Sequence, residues 1–310
     1  VAIPRHWQDV RWLALTIALS VAAAVGLGGV SGWHRLLGAV LHPQPTYFAV
    51  GFAAQTVALA AYAVAYRDVM SMGGSSVPAV DALTLTAAGF GAHLPRGGFG
   101  FDYGFLRSRG QSREEAKRTV LLLGLLEYAV LAPMTWGAAM VILLNGWPVQ
   151  RSLSLSWAIG VPAGTLITCW LVARHKRGKR VWKRLVNMLT GIEQLASMLA
   201  QPRHWPALIG MACYWAADMV CLWAGLQAFG SELGVAAIIV AFATGYALSR
   251  RTMPFAGAGL IELFLIFALT WVGTPLVRAI PAVFTYRVFN IWVPTLCGLV
   301  AVRARLRGAH

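Results

Sequence analysis

Two short segments carry the same unusual pattern, Pro95-Arg96-Gly97-Gly98-Phe99-Gly100 and Pro254-Phe255-Ala256-Gly257-Ala258-Gly259, both reading Pro-x-x-Gly-x-Gly. Each lies between apolar stretches too short to cross a bilayer, and each is followed by an acid, Asp102 or Glu262. Proline and clustered glycines end helices. Ending one inside hydrophobic sequence is costly in lipid, because the freed N–H and C=O groups find no water there. Such breaks persist where they are buried in protein or line a polar cavity. A matched pair, one per half of the chain, points to a transporter's substrate site. With 32 glycines and 14 prolines in 310 residues, chance predicts about 0.15 occurrences of the pattern, against two found.

Composition places the pair in a membrane protein. Hydrophobic residues make up 58% and charged residues 12%, and the mean hydropathy is +0.64, values outside the range of soluble domains. No polar stretch is long enough for a separate soluble domain. Six segments are long enough to span: Trp12–Val30, Thr46–Tyr66, Thr119–Leu144, Leu153–Ala173, Trp205–Phe229 and Ile280–Val302. The first begins after Arg5 and Arg11 like a secretory signal, but its apolar run is too long for a signal core. Two further regions, Asp81–Arg109 and Val235–Val272, are each divided by the Pro/Gly motif into halves of about 20 Å, short of a core of about 30 Å. They read as re-entrant hairpins that enter and leave on one side. Trp33, Trp147, Trp157, Trp205 and Trp292 suit interfacial belts.

Charge tests this topology. With the N-terminus in the cytoplasm, 19 of the 26 Lys and Arg residues fall inside and only Arg35, Arg151 and Arg278 outside, while Arg96, Arg250, Arg251 and Arg287 remain in embedded sequence. That bias predicts both termini inside. The net charge of +15 is then a topology signal, and nucleic acid is excluded as a partner. The first hairpin enters from the cytoplasm and the second from outside, each before a spanning helix, so the halves form an inverted repeat. The expected fold is therefore all-α and integral to the membrane: six spanning helices, two oppositely oriented re-entrant hairpins and an interfacial amphipathic helix. It is one domain over 1–310, with a hairpin plus helix over 81–144, a basic amphipathic segment over 174–203 and the second hairpin plus helix over 235–302. In that basic segment Trp182, Leu185, Leu189, Ile192, Leu195 and Leu199 recur at helical spacing, as in a helix lying on anionic lipid.

Four arginines away from the interfaces must face the bundle interior, since a charge at that depth costs at least about 2.5–3.5 kcal/mol on insertion scales. Arginine holds phosphate bidentately and keeps its charge. Arg96, Arg250, Arg251 and Arg287, with the helix starts after Gly100 and Gly259, make a candidate anion cradle. The alternative is internal pairing with Glu262, Glu127, Asp218 and Asp102. Glu127 lies 32 residues after Pro95 and Arg287 lies 33 after Pro254, so a Glu127–Arg287 pair across a pseudo-axis is one expectation. Pro95, Gly98, Gly100, Pro254, Gly257 and Gly259 are the expected hairpin tips, with Gly98 and Gly257 at close backbone approaches. The four cysteines read as small buried hydrophobes. The histidines, His93 and His204 among them, lack metal-ligand spacing. Asp68, Asp81, Glu114, Glu115, Glu193 and Glu232 read as solvated or capping residues. No metal, cofactor or catalytic cluster is expected.

Two stretches, Ala88–Pro133 and Tyr246–Pro294, resemble the flippase-like transmembrane domain of lysylphosphatidylglycerol synthases and their stand-alone relatives. Met253-Pro254, Gly257-Ala258-Gly259, Glu262, Tyr286-Arg287 and Trp292-Val293-Pro294 match the more specific signature. Leu94-Pro95 and the Arg107, Arg109, Gly110, Ser112 run match the other. The third span departs from the family's Glu-Arg…Asp pattern, keeping only Glu127. The resemblance implies translocation of a lipid, and a chain without the aminoacyl-transferase domain of the full-length synthases. Together these readings predict a translocase, in the bacterial cytoplasmic membrane, for an anionic or phosphate-bearing lipid. The alternative is a membrane enzyme or lipid-presenting subunit acting on phospholipid or polyprenyl phosphate. Self-association is left open.

Overall fold

The computed structural model describes residues 10–72, 77–91, 94, 96–147, 151–176, 183–246 and 252–298. It is all-helical, with no strand among the described residues. Among those residues, seven helical stretches are long and apolar enough to cross a membrane: Arg11–Ser31, Thr46–Met72, Arg113–Leu144, Arg151–Arg174, Pro202–Ala228, Pro254–Trp271 and Leu276–Gly298. Together they mark a membrane-embedded protein.

The helices run in chain order α1 (Val10–Ser31), α2 (Trp33–Val40), α3 (Thr46–Met72), α4 (Ala79–Gly89), α5 (Gly97–Ser108), α6 (Arg113–Leu144), α7 (Arg151–Lys176) and α8 (Lys183–Leu199). They continue with α9 (Trp205–Ala228), α10 (Val235–Gly245), α11 (Leu260–Trp271) and α12 (Leu276–Arg287). Six of the stretches long enough to span correspond to the six sequence segments. The seventh, Pro254–Trp271, joins a 3₁₀ turn to α11; the continuous helix in it is the 12 residues of α11. At 1.5 Å per residue that is about 18 Å, as for α4, α5 and α10.

The core of the bundle is the pair α3 and α9, which pack over much of their lengths and run antiparallel. The Gln44 N–H, just before α3, donates to Ala228 O at the end of α9 (2.9 Å). At the opposite end Asp68 of α3 meets His204, just before α9 (3.1 Å). The approach is close because Gly210 has no side chain; a Cβ there would lie 2.7 Å from Ala61 O. Gly225 plays the same part between α9 and α12, where a Cβ would lie 2.7 Å from Ala282 O. Small residues at crossings let apolar helices pack where no hydrophobic drive separates protein from lipid.

The elements recur in one order: α3 to α6 start at Thr46, Ala79, Gly97 and Arg113, and α9 to α12 at Trp205, Val235, Leu260 and Leu276. The packing is exchanged between the sets. Ala138, Ala139 and Ile142 of α6 cluster with Ala236 and Val240 of α10, while Gly298, beyond α12, meets the backbone of Ala88 in α4.

Helix α6 starts in a capping box. The Glu115 N–H donates to Ser112 Oγ (3.2 Å) and the Ser112 N–H to Glu115 Oε2 (2.8 Å). Ser112→Ala is expected to lower stability by about 1 kcal/mol, measured as the thermal midpoint of the detergent-solubilised protein, with Ser156→Ala on exposed α7 as a neutral reference.

Several sequence expectations are corrected by packing. The apolar face of α8 meets protein as well as any leaflet: Leu189, Leu195 and Met198 are buried, and Gly191 sits against Leu121 and Leu125 of α6. Trp182 and the side chain of Leu185 lie outside the described residues. Trp157 donates to Thr244 Oγ1 of α10 (2.9 Å) and packs against the bundle. Cys169, Cys213 and Cys297 are exposed and only Cys221 is buried. His204 and Asp68 form one contact, in which Arg203 Nε donates to His204 Nε2 (2.9 Å) and leaves Nδ1 to donate to Asp68.

Candidate functional site

The site grows from the break between α10 and α11. Pro254 opens a 3₁₀ turn in which Phe255 (φ 54°) and Ala256 (φ 50°) take left-handed backbone, followed by Gly257 (φ 65°) and Gly259 (φ 82°). Glycine adopts such angles freely; each of the two L-residues costs about 1–2 kcal/mol. The strained residues are held by partners on both sides. The Phe255 N–H donates to Leu94 O of the first break (3.0 Å), so the two breaks touch through their backbones. The Ala256 carbonyl accepts from Arg287 Nη2 (2.9 Å), a charge-assisted bond that offsets part of the strain.

Arg287 is the last residue of α12 and is 1% exposed. Its Nε donates to Glu262 Oε1 (3.0 Å), in the first turn of α11. The pair is monodentate. Arg287 Nη1 and Glu262 Oε2 are buried and have no hydrogen-bond partner among the described residues. A donor and an acceptor left open in a buried ion pair carry a desolvation penalty that a ligand or water would relieve. From α1, Ser20 Oγ donates to Glu262 Oε1 (3.4 Å).

After Arg287 the helix widens into a π turn, Val288–Trp292, a geometry common where function bends a helix. It carries Asn290, whose Nδ2 donates to Asp218 Oδ1 of α9 (2.6 Å), while Tyr286 donates to Asp218 Oδ2 (3.0 Å). The Tyr246 hydroxyl completes the cluster, in short contact with the Tyr286 hydroxyl and donating to Asn290 Oδ1 (3.3 Å). These four side chains are buried.

A second polar centre sits in the other half. Glu127 of α6 is 3% exposed and accepts from Tyr62 of α3 (2.6 Å), and its carbonyl accepts from Trp215 Nε1 of α9 (3.0 Å). Rings in contact link the two centres: Tyr62 to Tyr214 (4.9 Å), Tyr214 to Trp215 (4.7 Å) and Trp215 to Tyr246 (6.1 Å).

The expected Glu127–Arg287 pair is thus replaced. Arg287 takes the acid of its own half, because the reversal after Pro254 brings the first turn of α11 against the end of α12. Arg96 is exposed, outside this cluster, at the N-cap of α5. Asp102 is fully buried on α5 and lies apart from Arg287's pairing. In the first break Gly97 takes left-handed backbone (φ 66°), and Gly98 lies buried in the first turn of α5. Gly100 holds a close contact, since a Cβ there would lie 2.7 Å from Arg96 Cβ, and Gly257 holds another, 2.6 Å from Ile261 Cδ1. Pro95, Arg250 and Arg251 lie outside the described residues.

Ser20, Tyr62 and Asn290 escaped sequence reasoning. Tyr286 and Asn290 stand four apart in an apolar helix, which places both on one face; that spacing was the available signal. Ser20 gave none, since a serine in an apolar helix is ordinary. Compared with protein-family models and with characterised proteins, the chain matches none.

Proposed function

We propose that this protein translocates a phosphate-bearing lipid between bilayer leaflets, passing the head group along an interior lined by polar side chains while the tails stay in the bilayer. The observation that carries the reading is Arg287: a guanidinium buried in an apolar bundle, at a break between two short helices, with one nitrogen open. Buried arginine in a membrane bundle marks an ion or substrate path by default, and its planar donors suit a phosphate.

Supporting features are the pairing of α4 with α5 and α10 with α11, each helix too short to span, and the contact of the two breaks at Phe255 and Leu94. Read as re-entrant hairpins meeting near the midplane, they belong with the antiparallel α3/α9 pair and the recurring element order as an inverted repeat. The resemblance to the flippase-like domain of lysylphosphatidylglycerol synthases agrees. The distribution of positive charges supports cytoplasmic termini, and the resemblance supports the bacterial cytoplasmic membrane.

The test is reconstitution into vesicles of phosphatidylcholine and phosphatidylglycerol carrying fluorescent phosphatidylglycerol. Dithionite quenching should pass beyond the outer-leaflet fraction at a rate set by protein content, with the lipid recovered unchanged by mass spectrometry. Quenching confined to the outer leaflet rejects translocation of that lipid; a chemically altered lipid favours an enzyme.

A further inference from the structure

Helix α1 lies at the edge of the bundle. Its apolar window is 11% buried, against 61% for the window on α9 and 0% for that on α7, and of these two peripheral helices α1 is the one that touches the second break. Several of its residues touch the second break, Leu13 among them, packed on the cluster of Ala256 and Ile291. Trp12 packs on Phe255 with ring centroids 5.5 Å apart. The Leu19 carbonyl approaches Gly259, where a Cβ would lie 3.2 Å from the oxygen. Ser20 hydrogen-bonds Glu262. These touch the strained turn itself, Phe255 and Gly259 both having positive φ. Between α1 and α12 runs an open apolar groove of about 330 Å³, walled by Ile17, Ser20, Val21, Ala24, Phe284 and Trp292. Ser20 is common to the groove and to the buried pair, so the groove wall is one hydrogen bond from Glu262 and two from Arg287.

We infer that α1 is a lateral gate and that the groove between α1 and α12 is the site where one phospholipid brings its phosphate from the bilayer to Arg287. The inference rests on the translocase reading and adds the route and the moving element. The occupant follows from the chemistry of the two ends. The open side is apolar and faces where acyl chains lie. Behind Ser20 on the inner side lies the buried Glu262–Arg287 pair, whose Arg287 Nη1 has no hydrogen-bond partner among the described residues and is complementary to a phosphate, not to a second apolar helix. The Ser20–Glu262 bond, at 3.4 Å, is long for a hydroxyl–carboxylate hydrogen bond. Loose packing is what a moving element requires.

The experiment uses the full chain with its four native cysteines replaced by Ala and Val21→Cys and Phe284→Cys introduced, one on each wall. A short, reducible bifunctional thiol reagent bridges them in the vesicles described above. Bridging should slow translocation of fluorescent phosphatidylglycerol at least tenfold, and reduction should restore it, which excludes misfolding as the cause. Either single cysteine, treated alike, should keep the unbridged rate. In parallel, phosphatidylglycerol with a photoreactive group on its head should label the peptides carrying Val21 and Phe284. An unchanged rate on bridging, or labelling confined to the helix ends, overturns the gate while leaving translocation standing. Head-group labelling at Val21 in a protein that translocates nothing keeps the site and removes the translocase.

Discussion

Arg287→Gln is expected to cost about 3–5 kcal/mol of stability and to abolish translocation, because it strands the Glu262 carboxylate in the core and removes the donor to Ala256 O. The second effect separates two roles for the residue. If Arg287 only neutralises Glu262, the double variant Arg287→Gln with Glu262→Gln recovers both stability and transport, since two amides replace one ion pair without a buried charge. If its open Nη1 meets phosphate, the double variant recovers stability and stays inactive. The second outcome is the expected one, read as thermal midpoint and lipid-quenching rate on the same preparation in a double-mutant cycle. Arg287→Lys should fall between, because an ammonium keeps the charge but cannot reach Glu262 and the Ala256 carbonyl together. Recovery of transport in the double variant would make Arg287 a structural residue and leave the proposed anion site without its main donor.

Gly210→Leu is expected to destroy the fold. A side chain there must displace the backbone of α3, with Ala61 O at 2.7 Å and Ala65 N at 3.0 Å, and backbone inside a packed helix has nowhere to go. Overpacking usually costs about 1–3 kcal/mol where side chains can yield; here it should exceed that range and the protein should aggregate on extraction. Gly26→Leu is the matched control. Nothing lies within 4 Å of its Cβ position, on the exposed face of α1, so yield and thermal midpoint should be those of the parent. Equal tolerance at both positions would contradict the α3/α9 packing.

Much of this architecture was legible from hydropathy alone. Six spans appear close to their expected places because helix length in a bilayer is set by one-dimensional quantities, apolar run length and rise per residue. The Pro254 break was equally legible, since proline and glycine act on their own backbone whatever surrounds them. The strain at Phe255 and Ala256 was not. Neither residue favours left-handed backbone, and tertiary contacts hold them there, among them Leu94 O, Arg287 and Trp12.

What the chain's order of residues determined, then, is which groups are expensive to bury: Arg287, Glu262, Glu127 and Asp218 stand in apolar sequence and must find partners. Which partner each finds was decided by tertiary structure. Glu127 and Glu262 are both carboxylates in apolar sequence, yet Arg287 reaches Glu262 because the turn after Pro254 folds α11 back against α12, while Glu127 faces Tyr62 across the α3–α6 contact. The physical reason is range. Backbone breaks and apolar runs act over a few residues and are written locally. An ion pair depends on ångström distances between helices that are distant in sequence, and those distances come from small residues such as Gly210 and Gly225 acting at crossings no local pattern specifies.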